Sequence, residues 1–234
     1  MIKGILFDLD ATLCNSEGDA HRYALNMLYQ SFSKDYVIHQ DDFNSLYKEA
    51  KAQVKREHIG TATSHERLLY IQKMIENLEG TVLPEKILEY YHVYWDNLIN
   101  NLQLLPEVLD VLKELDKRDI NTCIVSNLGS YVQFRKLKAL KITQFIDHLV
   151  TSQEAGVEKP HPGIFLMGLH KIDCRPQEAL MVGDMLETDI EGAKSIGMQT
   201  VWFPTYSGKQ DQIVTNSNKP DYTISSFSEL LKYI

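Results

Sequence analysis

Cysteine is scarce in this sequence of 234 residues, which has only Cys14, Cys123 and Cys174. They are odd in number and far apart, and none belongs to a C-x-x-C pair. The sequence therefore predicts neither a disulfide framework nor a zinc site, and it favours reduced thiols in a cytoplasmic protein. We expect Cys14 to be a buried packing residue, although it lies close to two aspartates in the sequence.

Long apolar runs and an excess of positive charge are also missing. No run approaches the ~20 apolar residues of a membrane span, and a single Lys3 before a very short apolar run is unlike a signal peptide. Lys and Arg total 24 against 32 Asp and Glu, a net charge of −8. That balance argues against nucleic acid or an anionic membrane as a partner. We expect a complete, soluble, cytoplasmic protein.

The pattern of apolar residues changes near position 102. From 16 to 101 they recur at three-to-four spacing, which predicts helices throughout and no strand. After Pro106, β-rich runs alternate with helical stretches, and this alternation predicts a parallel sheet covered on both faces. The later strands are predicted at 121–126, 146–151, 179–182, 200–203 and 222–224, and a polar loop at 207–220.

A short apolar run at the start of the chain ends at two carboxylates. Residues at i and i+2 of an extended segment project to the same side, so Asp8 and Asp10 should lie close together. Like charges at that spacing need a cation or a shared proton. The pair suggests a metal site with a nucleophilic carboxylate beside an acid/base carboxylate.

Three further polar clusters follow predicted strands. They are Ser126-Asn127, Glu158-Lys159-Pro160, and the segment from Gly183-Asp184 to Asp189. Because the carboxyl ends of parallel strands meet at one edge of the sheet, these side chains should share a cleft with the first pair. Carboxylates for a hard divalent cation, with a lysine and a hydroxyl for an anion, suit phosphoryl transfer.

Together these motifs resemble those of the haloacid dehalogenase-like hydrolases over essentially the whole chain. In order, the four matching motifs are Asp8-x-Asp10-x-Thr12, Ser126, Lys159-Pro160, and Gly183-Asp184 with Asp189. The resemblance implies an α/β fold, a doubly wound parallel sheet in a Rossmann-like core formed by 1–15 and 102–234. It also implies an inserted all-helical cap at 16–101.

The resemblance also implies a role for each motif residue. Asp8 would attack phosphorus, and Asp10 would act first as an acid and then as a base. Mg²⁺ would be held by the carboxylates of Asp8 and Asp184 and the backbone carbonyl of Asp10, with Asp189 in the outer shell. The implied phosphate-binding residues are Leu9, Thr12, Ser126, Asn127 and Lys159. Ala11 replaces the usual glycine, and we expect ordinary backbone angles there.

The implied function is a magnesium-dependent phosphatase acting on a small phosphorylated metabolite, a sugar phosphate or a nucleotide, through an aspartyl phosphate. A phosphomutase and a haloacid dehalogenase are alternatives on the same fold, and a non-catalytic binding protein is a further one. Residues 183–192 resemble the branch that contains N-acylneuraminate-9-phosphatase and a pyrimidine nucleotidase. The chain would act as a monomer or a homodimer.

Structural roles compete with several of these functional ones. Ser126 and Asn127 could cap the next helix, Lys159 could be a solvated surface lysine, and Thr12 could be a turn residue. Asp184 could cap a helix N-terminus, with Glu187 completing a capping box. His65 could face the cleft from the cap, but Ser64 and Arg67 beside it favour a helix start with a solvated face. The many tyrosines of 16–101 are expected to pack in the core of the cap.

Overall fold

A computed structural model describes residues 2–204 and 211–234 of the chain. Its strands are β1 (Gly4–Phe7), β2 (Asn121–Ser126), β3 (His148–Thr151), β4 (Ala179–Gly183), β5 (Gln199–Trp202) and β6 (Tyr222–Thr223). They form one sheet in the order β3-β2-β1-β4-β5-β6. Every neighbouring pair is parallel, with Leu6 of β1 aligned to Cys123 of β2 and Met181 of β4.

The α-helices are α1 (Asp19–Asp35), α2 (Gln40–Glu57), α3 (Arg67–Glu79), α4 (Pro84–Asn100), α5 (Val108–Lys117), α6 (Ser130–Leu140), α7 (Ser152–Ala155), α8 (Pro162–Lys171) and α9 (Glu191–Ser195). Short 3₁₀ turns cover Ala62–His65, Thr143–Phe145, Pro176–Glu178 and Phe227–Lys232. None of the helices that the structure describes is both long and apolar enough to cross a membrane.

Both faces of the sheet are buried, as alternation along β1 shows. Ile5 and Phe7 belong to one apolar cluster, which includes Val111 of α5 and Leu137 of α6. Leu6 belongs to a second cluster on the other face, with Phe165 of α8. Successive side chains of a strand point to opposite faces, so β1 needs apolar residues at every position. The predicted α/β class with a doubly wound parallel sheet is confirmed.

Residues 16–101, all of which the structure describes, form four α-helices and a 3₁₀ turn without a strand. They supply most of a separate apolar cluster, in which Tyr70, Tyr90 and Tyr94 are fully buried, as predicted. The segments that enter and leave this helical insertion run side by side. Asn15 N donates to Gln103 O at 3.1 Å, and Leu105 N donates to Leu13 O at 2.9 Å. The domain boundaries at 15/16 and 101/102 stay a prediction.

Beyond one-residue shifts in the bounds of β4, β5 and β6, two elements differ from the prediction. The strand expected from 146 begins at His148, because a 3₁₀ turn precedes it and the Asp147 carboxylate accepts a hydrogen bond from Thr122 N at 2.8 Å. The helix expected after β4 begins as a π-helical turn, Leu186–Ile190. Of the loop predicted at 207–220, residues 207–210 lie outside the described residues, and 211–220 contain neither helix nor strand.

Candidate active site

The carboxyl ends of β1, β2 and β4 and the loop before α8 open onto one cavity of about 520 Å³. On the core side, its wall includes Asp8, Asp10, Ser126, Asn127, Lys136, Lys159, Asp184 and Asp189. On the cap side it includes Ser16, Glu17, Lys51, Lys55, His65, Arg67, Trp95 and Leu98. The strand-end clusters therefore lie together, as a parallel sheet requires.

Asp8 lies at the centre of a buried charge cluster. Lys159 Nζ is 2.6 Å from Asp8 Oδ1 and 2.7 Å from Asp189 Oδ1. Burial raises the pKa of Asp8 well above its usual range; Lys159 opposes this effect, and Asp189 and Asp184 reinforce it. Burial alone would lower the pKa of Lys159, but the two carboxylates beside it raise it. Lys159 is therefore a fixed cation at neutral pH.

Asp8, Asp184 and Asp189 place one carboxylate oxygen each within 4.8 Å of one another. When all three carboxylates are ionised, they exceed the single ammonium of Lys159 by two negative charges, which a divalent cation would neutralise. An all-oxygen donor set is the kind that Mg²⁺ prefers. These residues fit the ion, and the carboxylate of Asp10 stands outside the cluster.

The carboxylate of Asp10 is held by three groups. It accepts hydrogen bonds from Ser16 Oγ, from Lys136 Nζ, and from Gln133 Nε2 at 3.0 Å. Burial alone would raise the pKa of Asp10, but Lys136, together with Ser16 and Gln133, lowers it to about 2. Asp10 is therefore ionised in this arrangement.

Two buried polar residues of α6, Gln133 and Lys136, were not predicted from the sequence. Gln133 also donates to Ser126 Oγ, so it connects the second strand end with Asp10. A signal was present, since Gln133 and Lys136 recur at the same three-to-four spacing as the apolar Leu137 and Leu140. Polar residues on the buried face of an amphipathic helix need partners inside the protein.

The other predicted phosphate-binding residues differ in placement. Asn127 lines the cavity, but its side-chain amide is bound to the backbone of Lys159. It accepts from Lys159 N at 2.7 Å and donates to Lys159 O at 3.0 Å, which fixes the lysine's backbone. Thr12 Oγ1 lies 3.5 Å from Asp184 Oδ1 and is fully buried. The side chain of Leu9 packs in the core. Leu9 and Thr12 are absent from the described cavity wall, and the assigned roles stay predictions.

One expectation about backbone structure was wrong, and one structural alternative does not hold. Ala11 has a φ of +66°, so this position uses the left-handed conformation for which glycine is best suited. Asp184 does not cap a helix, because the residue before the π-helical turn is Met185, whose N–H is bound by the Asp189 side chain at 3.0 Å. This geometry needs Gly183, where an added Cβ would lie 2.3 Å from Asp189 Oδ2.

The expectation of a solvated face at His65 was also wrong. His65 lies on the cavity wall and its Nε2 is 3.1 Å from Glu158 Oε2. Arg67 lies on the same wall and stacks on Tyr70 and Trp95, with its guanidinium carbon 5.6 and 5.5 Å from the ring centroids. The cap thus supplies charged and aromatic side chains to the site.

Comparison with known proteins agrees with this geometry. A family model described as haloacid dehalogenase-like hydrolase matches residues 5–203. The chain belongs to the haloacid dehalogenase-like hydrolases. Among relatives of this family, a ribulose-1,5-bisphosphate 5-phosphatase from Halopiger xanaduensis is 36% identical over 208 residues, which are 87% of this chain and 85% of that protein.

A second relative belongs to the branch predicted from residues 183–192. The N-acylneuraminate-9-phosphatase of Rattus norvegicus is 26% identical over 234 residues, 98% of this chain and 92% of that protein. A solved structure of a HAD phosphatase from Thermococcus onnurineus superimposes with a TM-score of 0.75 at 26% identity, covering 99% of this chain and 97% of that one. The predicted family, its fold and its class of hydrolytic enzyme are confirmed.

Proposed function

We propose that this chain is a magnesium-dependent phosphatase that releases inorganic phosphate from small phosphorylated metabolites, with Asp8 carrying the phosphoryl group in between. The observation that supports this best is the buried contact of Lys159 with Asp8 at 2.6 Å, within a cluster of three carboxylates. The relatives described above are named as phosphatases, one of a bisphosphate and one of an N-acylneuraminate phosphate.

In the first step, an oxygen of Asp8 forms a bond to phosphorus as the ester P–O bond breaks. The leaving oxygen takes a proton from Asp10, and an alcohol departs. Lys159 and the hydroxyl of Ser126 bind the phosphoryl oxygens, with Lys159 already positioned on Asp8. Asn127 contributes by holding the backbone of Lys159 at both its N–H and its C=O.

In the second step, water attacks phosphorus as the bond to Asp8 breaks, and Asp10 accepts the proton of the water. This step needs an ionised Asp10, which is the form that Lys136, Ser16 and Gln133 stabilise. The first step needs the protonated form, which the second step regenerates, so the contact of Asp10 with Lys136 has to weaken while Asp10 holds the proton.

Bound Mg²⁺ would neutralise charge on the transferring phosphoryl group. The residues that would hold it are Asp8 and Asp184 through their carboxylates and Asp10 through its backbone carbonyl. Asp189 lies within the same acidic cluster but is bound to Lys159 and to the amide of Met185. It would orient these groups.

We further propose a cytoplasmic protein acting as a monomer or homodimer, with a small phosphate ester as its partner. The three free cysteines, two of them buried, support a reducing compartment. Burial raises the pKa of Cys14 to about 12, which favours its neutral packing form.

The direct experiment is hydrolysis of p-nitrophenyl phosphate with Mg²⁺ and with a chelator. We expect phosphate release that depends on Mg²⁺ and falls at least 10³-fold in Asp8→Asn, because the nucleophile is lost. Asp116→Asn removes an exposed carboxylate on α5 and is the matched control. Equal rates in the wild type and Asp8→Asn refute the assignment of the nucleophile.

Assays with a sugar phosphate and with 2-chloropropionate separate the alternatives. A phosphomutase would yield an isomeric phosphate ester in place of inorganic phosphate. A dehalogenase would release halide from 2-chloropropionate without Mg²⁺. If neither class of compound is turned over, the result favours the non-catalytic binding protein.

A further inference from the structure

We propose that the cap side of the cavity binds a second anionic group of the substrate, a phosphate or a carboxylate, and that Arg67 is the residue that holds it. This inference rests on the proposed phosphatase function. It narrows the substrate class to phosphate esters that carry another acidic group.

The first observation is that the guanidinium of Arg67 is incompletely bound. Its Nη1 donates to the backbone oxygen of His65 at 2.7 Å, whereas Nε is buried and has no hydrogen-bond partner. Within residues 2–204 and 211–234, Arg67 makes no ion pair with a carboxylate. Tyr94 and Tyr47 also hydrogen-bond to the guanidinium, but these neutral hydroxyls supply no counterion. A partly buried cation without a counterion is costly, and an arriving anion would relieve that cost.

A second unpartnered donor lies beside the first. Trp95 is only 2% exposed and lines the cavity, yet its Nε1 has no hydrogen-bond partner. Its ring centroid is 5.5 Å from the Arg67 guanidinium carbon and 5.5 Å from Lys136 Nζ. Two adjacent buried donors, one of them charged, are suited to a group that offers several acceptor oxygens.

The charge of the cap wall points the same way. The insertion, described in full from 16 to 101, contributes Lys51, Lys55 and Arg67 to the wall, and Glu17 is its one acidic residue there. Glu158, an acidic residue that the core contributes to the cavity wall, already binds His65 and Ser64. The cap wall therefore carries an excess of positive charge facing the acidic cluster of the core.

Arg67 is placed for a second group and not for the phosphate that is transferred. The transferred phosphate has to contact Asp8, which is bound to Lys159 of the core. Arg67 begins α3 of the cap and stacks on Trp95, and the other cation near that ring, Lys136, is bound to Asp10. A substrate with anionic groups at both ends would span the cavity from core to cap.

Matched pairs of substrates test this in the wild type. Ribulose 1,5-bisphosphate has a second phosphate that ribulose 5-phosphate lacks. Likewise, 3-phosphoglycerate has a carboxylate that glycerol 3-phosphate lacks. We expect kcat/KM to be at least tenfold higher for the doubly acidic member of one pair, and the pair that shows it identifies the anion. Equal values within both pairs overturn the inference.

Variants assign the effect to Arg67. Arg67→Gln should reduce the preference by roughly 10- to 100-fold, the size expected for a charge-assisted hydrogen bond, chiefly through KM. Arg67→Lys should retain part of it. Arg56→Gln removes an exposed charge of α2 that is not on the wall and should keep the wild-type ratio. A folded Arg67→Gln with an unchanged ratio contradicts the assignment.

Arg67→Gln could unfold the cap, and circular dichroism would reveal this. In that case Trp95→Phe, which removes the Nε1 donor and keeps an aromatic ring, should lower the preference severalfold, and an unchanged ratio counts against the site. If p-nitrophenyl phosphate and every other ester resist hydrolysis, the proposed function fails as well. If p-nitrophenyl phosphate is hydrolysed but neither pair shows a preference, only the second site is refuted.

Discussion

The hydroxyl of Ser64 donates a hydrogen bond to Glu158 Oε2 at 2.8 Å, and this contact joins the cap to the residue that precedes Lys159. Glu158 also accepts from Gly60 N at 3.1 Å, and its own N–H donates to Gly60 O at 3.2 Å. The loop before α3 is thus fastened to the segment that positions Lys159. The cap is therefore docked at the residue next to Lys159.

Glu158→Gln should loosen this docking, because an amide is a weaker acceptor than a carboxylate. We expect amide hydrogen exchange at 60–65 to speed up about fivefold, corresponding to about 1 kcal/mol. Glu154→Gln, which changes an exposed carboxylate bound to Lys171, is the matched control. Unchanged exchange in Glu158→Gln would show that the bonds do not hold the cap.

Lys136 and Asp10 form a buried ion pair, and removing one partner leaves the other uncompensated. Lys136→Met should lower the free energy of unfolding by about 3 kcal/mol. The double variant Asp10→Asn with Lys136→Met should lose less than the sum of the two single variants, as urea denaturation would measure. Additive losses would mean that the two side chains do not interact.

Ala11 and Ala50 are both buried alanines with different backbones. Ala11→Gly should change the free energy of unfolding by less than about 1 kcal/mol, because relief at positive φ offsets the lost methyl group. Ala50→Gly, in the middle of α2, should cost about 1–2 kcal/mol. Urea denaturation of both variants makes the comparison, and equal losses would contradict the left-handed conformation of Ala11.

His21 lies in α1 with its Nδ1 2.8 Å from Tyr94 Oη. Burial, together with Arg67 and Lys51, lowers the pKa of His21 to about 4, against an opposing effect of Glu17. Below pH 6.5, His21 therefore binds a proton in the unfolded chain, whereas in the folded chain it stays neutral until about pH 4. Stability should fall as pH decreases through this window.

His21→Gln should reduce that pH dependence. Urea denaturation at pH 7 and pH 5 would measure it in both proteins, and the difference between them isolates the histidine from other titrating groups. If NMR shows that His21 titrates near its ordinary pKa in the folded protein, the prediction is contradicted.

Much of the fold followed from local pattern. The strand Asn121–Ser126 has the bounds that were predicted, and helices fill 16–101 as the three-to-four spacing required. The π-helical turn after β4 did not follow, because it depends on the Asp189 side chain binding the amide of Met185. Such a bond competes with the regular helical pattern and leaves no periodic signal.

The site divides in the same way. Asp8, Lys159 and Asp184 could be brought together from sequence, since each follows a strand of a parallel sheet whose carboxyl ends meet at one edge. Gln133 and Lys136 reach Asp10 from 123 and 126 residues away, through the rotation of α6 on the sheet. That rotation is an outcome of packing, as is the turn of Arg67 and Trp95 toward the cavity.

The amino-acid sequence alone determined which chemical groups stand at the strand ends, because strand periodicity and parallel pairing are local rules that a linear pattern obeys. Only the tertiary structure decided which form of Asp10 is stabilised and what the cap presents to a substrate. Burial and the distance between opposite charges set both, and these quantities exist only once helices and sheet have packed together.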